Sequence, residues 1–289
     1  MTLLFKSTAV LLMSCSIWAG SAYAQDRQSV SFRANTLIEV DTTVQGDLTI
    51  PAGQSDAKFP AVVVIHSSGG YEDLTRKPYV QALNKAGIAT LELNLFSRGN
   101  RPKNSRMNLP HTFGALNYLA QDSRIDANRI GILGLSHGGL LALFSSSKEE
   151  NATYSGGKHK FAAHLALYPV CWAHLASAEG KNPVYPKSVY TALTGAPVHI
   201  LAGEKDVYDA PDSCQKFIAA LPDEARTHVH MTLYANATHG WDSPEETSYQ
   251  DPAANMGRGA YVRHVRNPAV TAQSLDFSQQ FFSRAFAEK

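Results

Sequence analysis

The chain has 289 residues, of which 44% are apolar and 18% are charged, and its formal net charge is +1. This length and composition fit one large α/β domain with a full hydrophobic core, and they exclude a disordered chain. The near-neutral charge argues against a nucleic-acid partner, because proteins that bind nucleic acid usually carry a strongly basic surface.

The N-terminal residues 1–24 have the layout of a secretory signal peptide. Lys6 precedes an uncharged apolar stretch, and the Ala-Tyr-Ala of residues 22–24 supplies small residues around a cleavage site. The apolar stretch is too short to span a bilayer, so we expect no stable membrane span in the mature protein. Cleavage after Ala24 predicts a periplasmic or secreted protein.

The elements that follow alternate between strands and helices. Polar and apolar residues alternate over residues 29–50, which predicts an antiparallel hairpin at a sheet edge. The continuous apolar run 61–65 predicts a strand that is buried on both faces. An amphipathic pattern predicts a helix over residues 73–86, a strand over 89–96 follows, and the polar, basic residues 97–107 read as a loop.

The second half of the chain continues this alternation. We predict helices over residues 109–121, 210–221 and 268–286, and strands over 129–135, 161–170, 197–203 and 228–235. The sequence therefore predicts an α/β fold with a mainly parallel sheet of seven to eight strands and helices on both faces. No linker divides residues 25–289, so we expect a single domain. In open sheets of this kind, ligands bind outside the carboxyl ends of the strands.

One serine stands between glycines where a predicted strand turns into a helix. Ser136 lies in Gly-Leu-Ser-His-Gly-Gly, residues 134–139, directly after the strand over 129–135. A sharp strand–turn–helix elbow projects a serine hydroxyl from the sheet edge, and flanking glycines permit the turn without steric clashes. The pattern therefore indicates a nucleophile.

An acid and a base follow two later strands. Asp206 comes directly after the strand that ends at Gly203, and His239 lies in a loop after the last predicted strand. His239 would take the proton of Ser136, and Asp206 would orient the imidazole. The competing acids Glu204, Asp209 and Asp212 read as turn or helix-cap residues, and the competing His228 and His230 alternate within a strand.

Backbone N–H groups of two loops are candidates for an oxyanion hole. One is the N–H of His137, and the others belong to the loop His-Ser-Ser-Gly-Gly, residues 66–70. The side chains of His66 and His137 read as supports of these loops rather than as bases.

These residues together resemble the dienelactone hydrolase family of the α/β-hydrolase superfamily. The resemblance covers nearly the whole mature chain and rests on the motifs VVVIHSSGG, LFSRG, GLSHGG, YPVC, GEKDVYDAPDSC and NATHGWD. It implies a triad of Ser136, Asp206 and His239, and it places the second oxyanion donor on Ser68, with Ser67 and Gly69 as rivals. True dienelactone hydrolases carry cysteine at the elbow and glutamate at the position of Ser67, so the chain is most similar to exported, serine-containing, esterase-like members.

The first functional hypothesis is therefore a serine hydrolase that cleaves small carboxylic esters or lactones through an acyl-enzyme. It needs no cofactor and no metal, and the histidines show no ligand spacing such as HExxH. One alternative is an amide or peptide hydrolase with the same triad. The other is a non-catalytic binding protein that has kept the fold.

Two loops, residues 97–107 and 172–194, are the candidates for substrate specificity. Arg98 could bind a substrate carboxylate or brace its loop, and Trp241 could line an acyl pocket or fill the core. For Arg101 and Arg106 we favour a solvated loop.

Export would leave two cysteines in the mature chain, because Cys15 lies in the signal. A lipoprotein signal with Cys15 lipidated is the alternative. Cys171 ends one predicted strand and Cys214 opens the helix after the next, and consecutive strands of such sheets are usually neighbours. The sequence therefore predicts a Cys171–Cys214 disulfide, against the alternative of two separate buried thiols.

Overall fold

The computed structural model of the chain describes residues 26–35, 42–53 and 57–288. The predicted signal peptide of residues 1–24, its cleavage after Ala24 and the lipidation alternative at Cys15 lie outside these described residues.

Eight strands form the main sheet within the described residues. They are β1 (Asp26–Ala34), β2 (Thr42–Ile50), β3 (Phe59–Ile65), β4 (Ala89–Asn94), β5 (Ile125–Leu135), β6 (His164–Leu167), β7 (Val198–Gly203) and β8 (Val229–Tyr234). Their spatial order is β1-β2-β4-β3-β5-β6-β7-β8. β2 pairs antiparallel with both neighbours, and the pairs from β4 to β8 are all parallel. The predicted α/β fold and the edge hairpin over residues 29–50 are confirmed.

Helices surround this sheet. They are α1 (Lys77–Lys85), α2 (Leu109–Gln121), α3 (His137–Phe144), α4 (Lys148–Ser155), α5 (Cys171–Ala178), α6 (Ser213–Ala220), α7 (Asp223–Arg226), α8 (Ala254–Gly257) and α9 (Pro268–Ala287). In the described part of the chain, none of them is long and apolar enough to cross a membrane.

The residues of β3 show why the sheet needs helices on both faces. Ala61, Val63 and Ile65 belong to a core cluster that includes side chains of α2 and α3. Val62 and Val64 belong to a second cluster, with side chains of α1 and α9. All five residues have no exposed surface, because successive side chains of a strand point to opposite faces and both faces are covered.

The structure differs from the sequence prediction in three segments. The strand predicted over 161–170 is confined to β6, since Tyr168 and Val170 have positive φ angles of 38° and 60° that end the extended chain. The connection over 172–194 contains most of α5. A further hairpin, β9 (Thr247–Asp251) with β10 (Ala260–His264), was not predicted, because β9 is exposed along almost all of its length and lacks an apolar face.

Candidate active site

Ser136 lies on a strained turn between β5 and α3. Its φ and ψ angles are 52° and −109°, a conformation that non-glycine residues rarely adopt. A Cβ atom at Gly134 would collide with the backbone of Gly138, so only glycine allows the strand and the helix to approach this closely. The turn positions the Ser136 side chain at the carboxyl edge of the sheet.

Ser136, His239 and Asp206 form a continuous hydrogen-bonded chain. The Ser136 Oγ lies 2.8 Å from His239 Nε2, and His239 Nδ1 lies 2.7 Å from Asp206 Oδ2. The His239 and Asp206 side chains are 3% and 6% exposed, so these bonds are shielded from water. Because a carboxylate only accepts, His239 Nδ1–H donates to Asp206, which leaves Nε2 to accept from the serine hydroxyl.

The loops that carry Asp206 and His239 meet at a close backbone contact. Lys205 N–H donates to the Ala237 carbonyl at 2.8 Å, and a Cβ atom on Gly203 would approach the same carbonyl too closely. The second carboxylate oxygen of Asp206 accepts the Tyr208 N–H at 2.9 Å. The orientation of the Asp206 carboxylate is therefore fixed from both sides.

Asp209 and Asp212, which compete with Asp206 for the role of catalytic acid, bind other partners than His239. Asp209 accepts the N–H groups of Cys171 and Trp172, at 2.8 and 2.6 Å, and so caps the start of α5. Burial, and secondarily the charge of Asp206, raises the pKa of Asp209 to about 7. Asp212 pairs with a lysine one turn along α6.

The loop after β3 uses some of its N–H groups internally and leaves others free. Gly69 N–H donates to Ser67 Oγ at 3.0 Å, so Gly69 is engaged within the loop. The N–H groups of Ser67, Ser68 and His137 donate to no group in the described part of the chain. These free donors follow the paired strands β3 and β5, whose ends lie side by side at Ile65 and Gly134, and they are the candidates to bind an oxyanion.

The buried His66 and the partly exposed Asp73 brace this loop. His66 Nδ1–H donates to the Ser67 carbonyl at 2.7 Å, and its Nε2 accepts the Leu95 N–H at 3.3 Å. Burial lowers the pKa of His66 to about 4, so the ring is neutral at neutral pH and suits both bonds. The Ser67 hydroxyl also donates to Asp73 in a short hydrogen bond.

A buried ion pair anchors the far end of the same loop. Arg76 Nε lies 2.8 Å from Glu92 Oε2, and both side chains are 1% exposed. Arg76 also donates to the carbonyls of Tyr71 and Asp73. The loop is thereby tied to β4 by a charge-assisted network.

The buried side chain of His137 likewise supports its loop and is not placed to act as a base. Its Nε2 lies 3.2 Å from Asn108 Oδ1, and burial lowers the pKa of His137 to about 3. Phe96 packs edge-on between the rings of His137 and His66. The two histidines therefore stiffen the two loops that flank Ser136.

A cleft of about 540 Å³ opens beside this machinery. One wall consists of the loop after β3 (residues 66–74), named the oxyanion loop for its candidate oxyanion donors, together with Arg98 and Arg101. The other wall consists of the β9–β10 hairpin and residues 243–245 before it. His264, at the end of β10, lines the cleft, and its ring centroid lies 5.5 Å from that of His239. The hairpin, which the sequence did not predict, therefore supplies part of the cleft lining.

Two other residues that were considered for substrate binding lie away from it. Trp241 has no exposed surface and packs edge-on against Tyr168, with centroids 4.7 Å apart, so it fills the core. We expected Arg106 to lie in a solvated loop, and the structure contradicts this. It lies 3.0 Å from the buried Glu150 and donates to the Val184 carbonyl at 2.9 Å, which ties the two candidate specificity loops together.

The chain matches the family model described as "Dienelactone hydrolase family" over residues 44–265. This chain belongs to the dienelactone hydrolase family. It is accordingly a hydrolase. No match was found among curated proteins.

Solved structures with the same fold include several hydrolases. Dienelactone hydrolase from Anabaena variabilis is 15% identical, with a TM-score of 0.60, and the match covers 90% of this chain and 98% of that one. Thermogutta terrifontis esterase 2 phosphorylated by paraoxon is 17% identical, with a TM-score of 0.60 and coverage of 89% and 94%. The metagenomic carboxylesterase EstE1 is 13% identical, with a TM-score of 0.59 and coverage of 90% and 89%.

This dienelactone hydrolase family member contains the predicted disulfide. Cys171 and Cys214 are joined, with their Cα atoms 5.0 Å apart. Asp209 lies against the pair, and the three ligand atoms fall within 4.8 Å of one another. The two sulfurs are bonded together, and both Asp209 oxygens accept N–H groups. The cluster therefore has a structural role: it links α5 to α6.

Three buried residues that the sequence did not indicate, Tyr168, Tyr79 and Asp242, lie on the interior side of His239. The Tyr168 ring lies edge-on to His239 at 4.8 Å, and the hydroxyls of Tyr168 and Tyr79 donate to Asp242 at 2.7 and 2.6 Å. Burial raises the pKa of Asp242 to about 6. Asp242 falls within the NATHGWD motif, which is the one signal that could have indicated it.

Proposed function

We propose that this chain hydrolyses carboxylic esters through a covalent acyl-enzyme on Ser136. The observation that carries the proposal is the continuous hydrogen-bonded chain from Ser136 through His239 to Asp206. A serine hydroxyl is a weak nucleophile, and this arrangement gives it an adjacent base whose tautomer is fixed by an acid.

In this mechanism His239 Nε2 takes the Ser136 proton as Oγ attacks the ester carbonyl carbon. The carbonyl oxygen becomes an oxyanion that accepts from the backbone N–H groups of His137 and Ser68. Each such donor contributes about 3 kcal/mol or more to stabilising the transition state. The imidazolium then protonates the leaving alcohol. Water, deprotonated by His239, hydrolyses the acyl-enzyme and regenerates Ser136.

Carboxylic esters are favoured over amides as substrates on the family evidence. The family model is that of a hydrolase of a lactone, which is a cyclic ester, and two similar folds are named as esterases. One of those structures is phosphorylated by paraoxon. An organophosphorus reagent is therefore a suitable probe of the serine in this chain.

Labelling with a fluorophosphonate tests the proposal. We expect the protein to gain one adduct by intact mass, on the peptide that contains Ser136, and to hydrolyse p-nitrophenyl esters. Ser136→Ala should lose both properties while keeping its circular dichroism spectrum, and Ser31→Ala, on the exposed face of the edge strand β1, should keep them. Labelling of the alanine variant at the parent rate would refute the nucleophile assignment. Cleavage of p-nitroanilide amides with a larger kcat/KM than the matched esters would establish the amide alternative.

We propose in addition that residues 25–289 form an exported, single-domain protein. The Cys171–Cys214 disulfide supports this, because such bonds persist in oxidising compartments. N-terminal sequencing of the protein from a periplasmic or culture fraction should start at Gln25. A lipid-modified Cys15 at the N-terminus would contradict it.

A further inference from the structure

The cleft that reaches His239 through His264 has an unusual lining for an esterase pocket. Pockets for small molecules are mostly apolar, whereas this one presents serine, threonine and tyrosine hydroxyls together with charged groups. The charged side chains are four carboxylates and two guanidinium groups, from Glu72, Asp73, Glu245, Asp251, Arg98 and Arg101. A lipid-like ester would remove water from these charged groups without offering them new hydrogen bonds.

Several of these polar groups have no partner in the described part of the chain. The side chains of Arg101, Glu245 and Thr247 form no hydrogen bond or ion pair within the described residues. Arg101 lies on the wall of the oxyanion loop, while Glu245 and Thr247 lie on the hairpin wall. One wall thus offers free donors, the other offers free acceptors, and hydroxyl groups complement both.

The charge of the cleft argues against an anionic ligand. Carboxylates outnumber guanidinium groups in the lining. Burial, and then the proximity of His239, lowers the pKa of His264 to about 4, so this ring adds no positive charge at neutral pH. A carboxylate bound near Arg98 would therefore meet a field that is negative on balance.

The position of the cleft indicates which part of an ester it holds. The leaving alcohol must lie beside His239, because that imidazole returns the proton to it. His264, which lines the cleft at the end of β10, has its imidazole centroid 5.5 Å from that of His239. The cleft is thus placed for the alcohol portion of the substrate.

Resting on the proposed function, we infer that the substrate is an ester of a neutral, polyhydroxylated, carbohydrate-like alcohol. Glu245 and Thr247 accept its hydroxyl protons, and Arg101 donates to its oxygens across the cleft.

Four acetate esters that differ only in the alcohol test this inference. They are methyl 6-O-acetylglucoside (neutral polyol), ethyl acetate (plain alcohol), 2-acetoxyacetate (anionic) and acetylcholine (cationic), with p-nitrophenyl acetate as an activated reference. Two hydrogen bonds should make kcat/KM for the glucoside at least about tenfold larger than for ethyl acetate. If p-nitrophenyl acetate is cleaved but the glucoside is no better than ethyl acetate, or if either charged ester is best, the inference is overturned. If no ester is cleaved and no adduct forms on Ser136, the proposed function itself fails, and the inference falls with it.

Paired variants then separate a binding role from a structural one. Glu245→Gln should lower the preference for the glucoside over p-nitrophenyl acetate about fivefold, mainly through a larger KM for the glucoside. Glu246→Gln, one residue along the hairpin and outside the cleft lining, should leave the preference unchanged. Arg101→Gln should resemble Glu245→Gln, with Lys103→Gln as its control. Equal effects of Glu245→Gln and Glu246→Gln would overturn the assignment of Glu245.

Discussion

The two sides of His239 are built in opposite ways. On the interior side, Tyr168, Tyr79 and Asp242 are buried and satisfy one another through hydrogen bonds. On the hairpin side, His264 borders an open cleft, and Tyr249 is 37% exposed. The interior side holds the imidazole by packing and by satisfied polar groups, whereas on the hairpin side the side chains of Glu245 and Thr247 have no partner among the described residues. The predictions below test the packing behind His239 and the machinery around Ser136 separately.

The largest effect is expected from the acid that orients His239. Asp206→Asn should lower kcat by about 10,000-fold, because an amide favours the wrong imidazole tautomer. Asp209→Asn should lower it by less than about tenfold, because Asp209 contacts the start of α5 and not His239. Steady-state rates on p-nitrophenyl acetate decide this, and the reverse order would move the catalytic acid to Asp209.

The disulfide tests how strongly the packing of α5 against α6 depends on a covalent link. Cys171 and Cys214 are 43 residues apart in sequence, and a cross-link over that span contributes about 4 kcal/mol in the chain-entropy model. The double variant Cys171→Ser/Cys214→Ser should lose about this free energy of unfolding in urea titrations. Peptide mapping of unreduced protein should recover the two cysteines joined, and their recovery as free thiols would contradict the prediction.

The buried ion pair tests the anchoring of the oxyanion loop. Arg76→Met leaves the buried Glu92 carboxylate with Lys77, 2.8 Å away, as its remaining cationic partner, and should cost about 3 kcal/mol of unfolding free energy. Arg27→Met removes an ion pair to Asp47 in which the arginine is 55% exposed, and it should cost less than about 1 kcal/mol. Comparable losses in the two variants would show that the buried pair has no special role.

The smallest effect concerns the pH dependence of the interior side. Burial raises the pKa of Asp242 from 3.8 to about 6 in the folded protein. Its contribution to the free energy of unfolding is therefore fully present below the unfolded value and is lost as the pH rises through about 6, a change of up to about 3 kcal/mol. Asp242→Asn should flatten this part of the stability profile between pH 4 and pH 7, as measured by urea unfolding at each pH. An unchanged slope would show that Asp242 stays ionised in the fold.

The sequence was informative wherever a residue type is required by local geometry. Only glycine tolerates the close approach at residue 134, so the elbow around Ser136 could be predicted from the glycines that flank the serine in the sequence. The buried strand β3 was visible as a continuous apolar run. The antiparallel edge formed by β1 and β2 was visible as alternation, because one face of each strand packs on the core.

What the sequence left open was the choice among chemically equivalent side chains. Asp206 and Asp209 are only three residues apart and carry the same carboxylate. Asp206 meets His239 because the backbone bond from Lys205 to Ala237 brings their two loops together. The β9–β10 hairpin carries no apolar periodicity, since its stability comes from contacts with the rest of the chain, such as the bond from the Tyr208 hydroxyl to Asp251. The sequence alone determined the sheet, the elbow and the set of candidate catalytic residues, because these follow from backbone sterics and burial. Tertiary structure decided which acid meets His239 and which surface faces Ser136, because those depend on distances between segments far apart in the chain.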